Sequence, residues 1–130
     1  MKDQLNQITE KIIGAAIEVH RELGPGLLES AYEACLCLEL IKRGLTFERQ
    51  KAIPLIYRGV HVGTGYRIDL LVEGAVVVEV KAVERIEPVH IAQTVGYLRF
   101  TRSKVGLLLN FNVKVLAEKG IRRVVNDFPD

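Results

Sequence analysis

A chain of 130 residues with 48% hydrophobic side chains is long enough to close one continuous core, so a single domain over residues 1–130 is expected. Eighteen basic against sixteen acidic side chains leave a formal net charge of +2, too little for long-range attraction of a polyanion, and any such site must be a local patch. The longest apolar runs, such as Ala75 to Val78 and Gly106 to Leu109, fall far short of the roughly 20 residues of a membrane span, and the start Met-Lys-Asp-Gln-Leu-Asn-Gln lacks the apolar stretch of a secretory signal, so no membrane role and a cytoplasmic location are expected.

Leu5, Ile8, Ile12, Ala15, Val19 and Leu23 recur every three or four positions and predict an amphipathic helix that Gly24-Pro25-Gly26 ends. A second helix is expected from about Leu28 to Arg43, with Gly44 at its C-terminal cap. Cys35 and Cys37 fall within it; their C-x-C spacing without a partner pair is wrong for a closed zinc site, and they are read as ordinary, partly buried thiols. The period then changes to two, with Phe47, Arg49, Lys51 and Ile53 alternating against Glu48, Gln50 and Ala52. Pro54 cannot donate to a ladder, which places this strand at an edge or bulges it there. Turn signals at Arg58-Gly59 and Glu73-Gly74 divide a three-stranded meander: Thr46 to Tyr57, Val60 to Val72 and Ala75 to Val83. After Pro88 a helix is expected to Arg102, then a buried strand from Lys104 to Phe111, the Glu118-Lys119-Gly120 turn and a short strand from Ile121 to Val125.

The third strand carries the chemistry. Glu79 and Lys81 are two residues apart, hence on one sheet face, while Val76, Val78 and Val80 make the other face apolar. Glu-x-Lys on a strand is by itself usually a cross-strand pair or a solvated face. Asp69 changes that reading, because a tight Glu73-Gly74 turn sets it near Glu79. Two carboxylates held together need a cation or a proton between them, and oxygen-only ligands suit Mg2+ or Mn2+. With Lys81 beside such a cation, the group reads as a phosphodiesterase centre.

Arg67-Ile68-Asp69 followed by Glu79-Val80-Lys81 resembles the D…(D/E)-x-K core of PD-(D/E)XK nucleases, and the helix and strand order resembles their common fold. Ile68 stands where the eponymous proline would be. Gly26-Leu27-Leu28-Glu29-Ser30-Ala31-Tyr32 resembles the signature of the GxxExxY protein family, and Gln93-Thr94-Val95-Gly96-Tyr97 resembles the Q-x-x-x-Y of RecB-type exonucleases. The resemblance implies an α/β (α+β) fold with a central mixed sheet, an αβββαβ core and an extra N-terminal helix. It further implies Glu29, Asp69 and Glu79 around the metal, Asp69, Glu79 and Lys81 in catalysis, and Gln93 and Tyr97 toward the substrate; Tyr32 is counted on that side too, and Arg67, which shares a strand face with Asp69, either holds a phosphate there or simply pairs with an acid.

The spacing agrees with this: Glu29 and Tyr32, and Gln93 and Tyr97, each share a helix face. Glu29 is equally a first-turn acid favoured by the helix dipole, and the two tyrosines are equally core residues with satisfied hydroxyls. His90 could face the Gln93 cleft but reads better as a surface residue; His20 and His61 have no partner at metal-ligand spacing. Arg99, Arg102 and Lys104 either lengthen a basic rim or form a solvated face. The expected activity is Mg2+- or Mn2+-dependent cleavage of nucleic acid, DNA ahead of RNA. Its rivals are a non-cleaving nucleic-acid-binding or protein-interaction module and a homodimer built on the Lys104 to Phe111 edge.

Overall fold

The structure, a computed structural model, describes residues 2–126. Two helices, α1 (Lys2–Leu23) and α2 (Glu29–Lys42), precede the meander β1 (Phe47–Tyr57), β2 (Val60–Val72) and β3 (Val76–Lys81). Then follow α3 (Pro88–Thr101), β4 (Val105–Asn110), a single turn α4 (Leu116–Lys119) and β5 (Ile121–Val125). The strands lie in the order β1-β2-β3-β4-β5, and β3 and β4 run parallel across the α3 crossover while the other pairs are antiparallel. This mixed sheet with helices on both faces is the α+β architecture expected.

Every residue of β4 and all but the last of β3 are buried, as suits two strands covered on both faces. Val76, Val78 and Val80 pack with Leu107, Leu109, Leu36, Leu40 and Ile12 on the α1/α2 side, while Val77, Leu108, Tyr97 and Leu98 pack on the α3 side. Each such side chain removed from water contributes roughly 1.5–3 kcal/mol. The third strand nevertheless places a carboxylate, Glu79, inside this layer.

Four expectations change. β4 lies between β3 and β5, so the Lys104 to Phe111 segment offers no edge for a dimer. The Glu118-Lys119-Gly120 turn is the end of α4 rather than a bare turn. β3 stops at Lys81 instead of Val83, because the N–H of Ala82 donates to Glu29 and that of Val83 to Asn110. Phe47 and Ile53, read as one strand face, pack on opposite sides of the sheet.

Tyr32 takes the core position that its spacing left open. It is 0% exposed and stacked on Phe111 with ring centroids 4.5 Å apart. Its hydroxyl donates to the Gly24 carbonyl at 2.5 Å and accepts from the Leu27 N–H at 3.1 Å. Both partners lie in the loop joining α1 to α2, so Tyr32 fixes the approach of α2 and has no surface left for a substrate. Tyr32→Phe leaves that donor and acceptor unpaired, and urea unfolding should show a loss of about 1–3 kcal/mol with nucleic-acid binding unchanged; the opposite pair of results would return Tyr32 to the substrate side.

Candidate functional site

The Val72-Glu73-Gly74-Ala75 turn is tight, with positive φ at Glu73 (56°) and Gly74 (62°) and the Ala75 N–H donating to the Val72 carbonyl. The pairs Val72 with Val76, Leu71 with Val77 and Leu70 with Val78 follow, and the same count sets Asp69 opposite Glu79. There the ladder stops. In its place, the Asp69 N–H donates to Glu79 Oε2 at 2.8 Å and the Val80 N–H donates to Asp69 Oδ2 at 2.8 Å. Each carboxylate thus caps a main-chain donor that the opened ladder would have left unpaired, with a charged acceptor in place of a neutral one.

The opening coincides with a slip in both β1 and β2. On β2, Ile68 packs on the α3 side and Leu70 on the α1/α2 side, although residues two apart should share a face. Opposite it on β1, Gln50 has φ 54° and drops out of the ladder while Arg49 still pairs with Leu70 and Lys51 with Ile68. The two strands exchange faces together, at Gln50 and Asp69, and this turns Asp69 out of the sheet layer toward Val80. Gln50 fastens the arrangement: its amide nitrogen donates to Asp69 Oδ1 at 3.2 Å and to Glu33 Oε1 at 2.8 Å. Glu33 also accepts from Arg49 Nε at 2.6 Å.

Glu33, Gln50 and Arg49 are site residues that the sequence reading missed. A signal existed for Glu33, since Glu33, Cys37 and Leu40 recur at helical spacing on a buried stripe of α2. None existed for Gln50, whose left-handed backbone is ordinarily a glycine or asparagine conformation. Glu29, Ser30, Glu33, Arg49, Gln50 and Asp69 line one open cleft of about 470 Å³. Glu29 is the exposed first residue of α2, and its Oε2 accepts from Ala82 N–H at 3.0 Å. It therefore reaches the cleft wall without joining the pair, and among the described residues no group of three His, Cys, Asp or Glu side chains gathers as metal ligands.

Glu79 is 3% exposed, and burial first and the neighbouring Asp69 charge second push its carboxyl up to about 8, against the pull of the Asp69 N–H and of Lys81. Burial raises Asp69 as well, with Glu33 adding to it, while Val80 N–H, Lys81 and Gln50 act the other way. The Lys81 ammonium, half-buried on the same face as Glu79, forms no ion pair with either acid. The donor set fits a hard divalent cation: two adjacent carboxylates, oxygen ligands only, and a negative charge that the protein leaves uncompensated.

Tyr97 is 5% exposed, with its ring edge-on to Tyr66 at 5.5 Å. Burial, then Glu79 and Asp69, push its hydroxyl up to about 12, which places the phenol within the field of the pair and keeps it protonated. The side chain of Gln93, half-buried one turn earlier on α3, makes no hydrogen bond among the described residues. Arg67 is exposed on β2 two residues before Asp69. His90 closes a capping box, its Nδ1 accepting from the Glu87 N–H at 2.9 Å, so it organises the start of α3 rather than a cleft. Arg102 and Lys104 line a different cleft, of about 660 Å³, beside the β2–β3 turn with Lys11 and Glu73, and do not extend this one.

A carboxyl whose folded value stands near 8 and whose unfolded value lies near 4.5 retains its proton on folding, so its contribution is complete below pH 4.5 and is lost as pH rises to about 8. Metal-free protein should therefore lose stability across that window. Glu79→Gln keeps an acceptor for the Asp69 N–H and should remove most of the slope, becoming the more stable of the two at pH 8. Denaturant midpoints measured in chelator from pH 5 to 8 test this; parallel curves for parent and variant would contradict it.

Among known families, the description of the PD-(D/E)XK nuclease superfamily matches residues 6–124 of the chain. No match appears among the curated proteins or the solved structures. With the match extending over nearly the whole length, and with the sheet order and acid pair just described, the chain belongs to the PD-(D/E)XK nuclease superfamily.

Proposed function

We propose that the protein is a nuclease that cleaves nucleic-acid phosphodiester bonds with Mg2+ or Mn2+, DNA ahead of RNA, in a cytoplasmic setting. The observation that carries this reading is the reciprocal clamp, which crowds two carboxylates at a break in the sheet, where burial and the Asp69 charge push the Glu79 carboxyl up to about 8. Within the superfamily, the Gly26 to Tyr32 run supports placement in the GxxExxY family. Among the described residues no helix is long and apolar enough to cross a membrane.

Asp69 and Glu79 would hold the ion, which when bound supplies charge for the phosphate under attack and acidity for an attacking water. Lys81 lies on the Glu79 face and brings an ammonium to the charge that develops on the phosphate oxygens. Tyr97, protonated at neutral pH, can donate a hydrogen bond but cannot serve as a base. Gln93, on the same helix face, offers donor and acceptor to the strand. A binding module without catalysis could cap the same two main-chain donors with neutral side chains and avoid the repulsion of two buried acids, which is why the cleaving reading is preferred over it.

Incubation with single-stranded, duplex, flapped and RNA substrates should reveal Mg2+- or Mn2+-dependent cleavage of at least one. Lys81→Ala should lower turnover at least about a hundredfold while manganese still binds, and Glu79→Gln should abolish both. Because Mn2+ must displace the Glu79 proton below pH 8, its apparent affinity should rise about tenfold per pH unit from pH 5 to 7. Cleavage that survives chelator, or undiminished turnover in Lys81→Ala, would sink the mechanism.

A further inference from the structure

Beyond the slip at Gln50 and Asp69, β1 and β2 continue as a two-stranded arm, paired from Lys51 with Ile68 out to Tyr57 with Val60. From Val60 to Asp69 the arm reaches about 30 Å at ordinary strand rise. Leu55, Ile56, Tyr57, Val60, Val62 and Tyr66 expose between 46% and 62% of their surface. A two-stranded ribbon with that much bare apolar surface is marginal in water and calls for something to lie on it.

The charges say what that is. Residues 51–67 hold Lys51, Arg58 and Arg67 and no acid, a balance of +3 against +2 for the whole chain, so the other residues together come to −1. Lys51 pairs with Glu48 at 2.8 Å, but Arg58 and Arg67 make no ion pair among the described residues. At the tip, Arg58 lies over the Tyr57 ring at 5.6 Å. At the root, Tyr66 meets Tyr97, beside the acid pair. A ring and a cation thus stand side by side at each end of the arm, Tyr57 with Arg58 at the tip and Tyr66 with Arg67 at the root, the last two on opposite faces of the ribbon because they are consecutive strand residues. A second copy of the arm is a poor cover, since a two-fold contact would set one acid-free basic ribbon against another. A duplex hides the base faces that rings and apolar side chains would meet.

We propose that the β1–β2 arm grips unpaired nucleic acid, bases on Tyr57, Tyr66 and the aliphatic side chains and phosphates on Arg58 and Arg67, and leads that strand into the Asp69–Glu79 cleft. This deepens the nuclease reading and rests on it for the destination of the strand. Single-strand binding of this kind draws on stacking of roughly 1–3 kcal/mol per base and on counterion release.

The test is fluorescence anisotropy in chelator, with labelled oligothymidylate and a blunt duplex of equal length as probes. The double variant Tyr57→Ala, Arg58→Asn is used because asparagine tolerates the left-handed backbone of Arg58 (φ 49°) and so keeps the turn. The parent should prefer the single strand. The variant should bind it about tenfold more weakly and with a shallower salt dependence, by about 0.7 in log–log slope for one lost phosphate contact. Its melting midpoint and manganese affinity should match the parent's. Undiminished single-strand affinity in the variant would overturn the arm's role even if the protein cuts. A parent that self-associates and is made monomeric by the variant would overturn it in favour of a protein interface. Binding that depends on the arm, with no cleavage under any metal, would support the arm and count only against the nuclease reading.

Discussion

The structure turns on two hydrogen bonds that cross where a sheet ladder ends, Asp69 N–H to Glu79 and Val80 N–H to Asp69. Main-chain donors inside a sheet must be paired, and here the pairing is done by side chains that are themselves the chemistry. Neither acid can be removed without freeing a donor, and neither can swing away while it accepts one. Stability and function are therefore tied to the same atoms. The cost falls on Glu79, which is dry, beside another acid, and protonated near neutrality in the absence of a cation.

Around the clamp, each element does a distinct job. The valine and leucine faces of β3 and β4 supply a stiff, dehydrated floor. The loop after β3 is held down by Glu29 from α2 and by Asn110 from β4, which fixes the direction in which Lys81 leaves the sheet. Gln50 holds Asp69 from the far side and is itself held by Glu33, which pairs with Arg49. His20, buried on α1, hydrogen-bonds through Nε2 to the Val113 carbonyl at 2.8 Å and ties the first helix to the segment beyond β4.

Much of this was legible in the sequence because it is local. Residues two apart on a strand share a face, which put Glu79 and Lys81 together; a tight turn limits register, which put Asp69 near Glu79 or its immediate neighbours. β2 and β5 start and end where turn residues predict. What was not legible depends on contacts distant along the chain. Nothing in residues 104–111 says that β5 will cover the far side of β4. The face exchange at Gln50 and Asp69 is invisible to a period-of-two reading, which assumes an unbroken pleat. Tyr32 fits both a core and a substrate role by spacing alone, and only its ring stack on Phe111 and the loop carbonyl it holds decide between them.

The most direct measurement of the account is the titration of the Glu79 side-chain carboxyl by carbon-detected nuclear magnetic resonance, in metal-free protein and again with Mg2+. The clamp predicts a carboxyl that loses its proton near pH 8 without metal and well below that with it. A Glu79 carboxyl that titrates in the ordinary carboxylate range and is unmoved by Mg2+ would contradict the claim that this break in the sheet is a cation site.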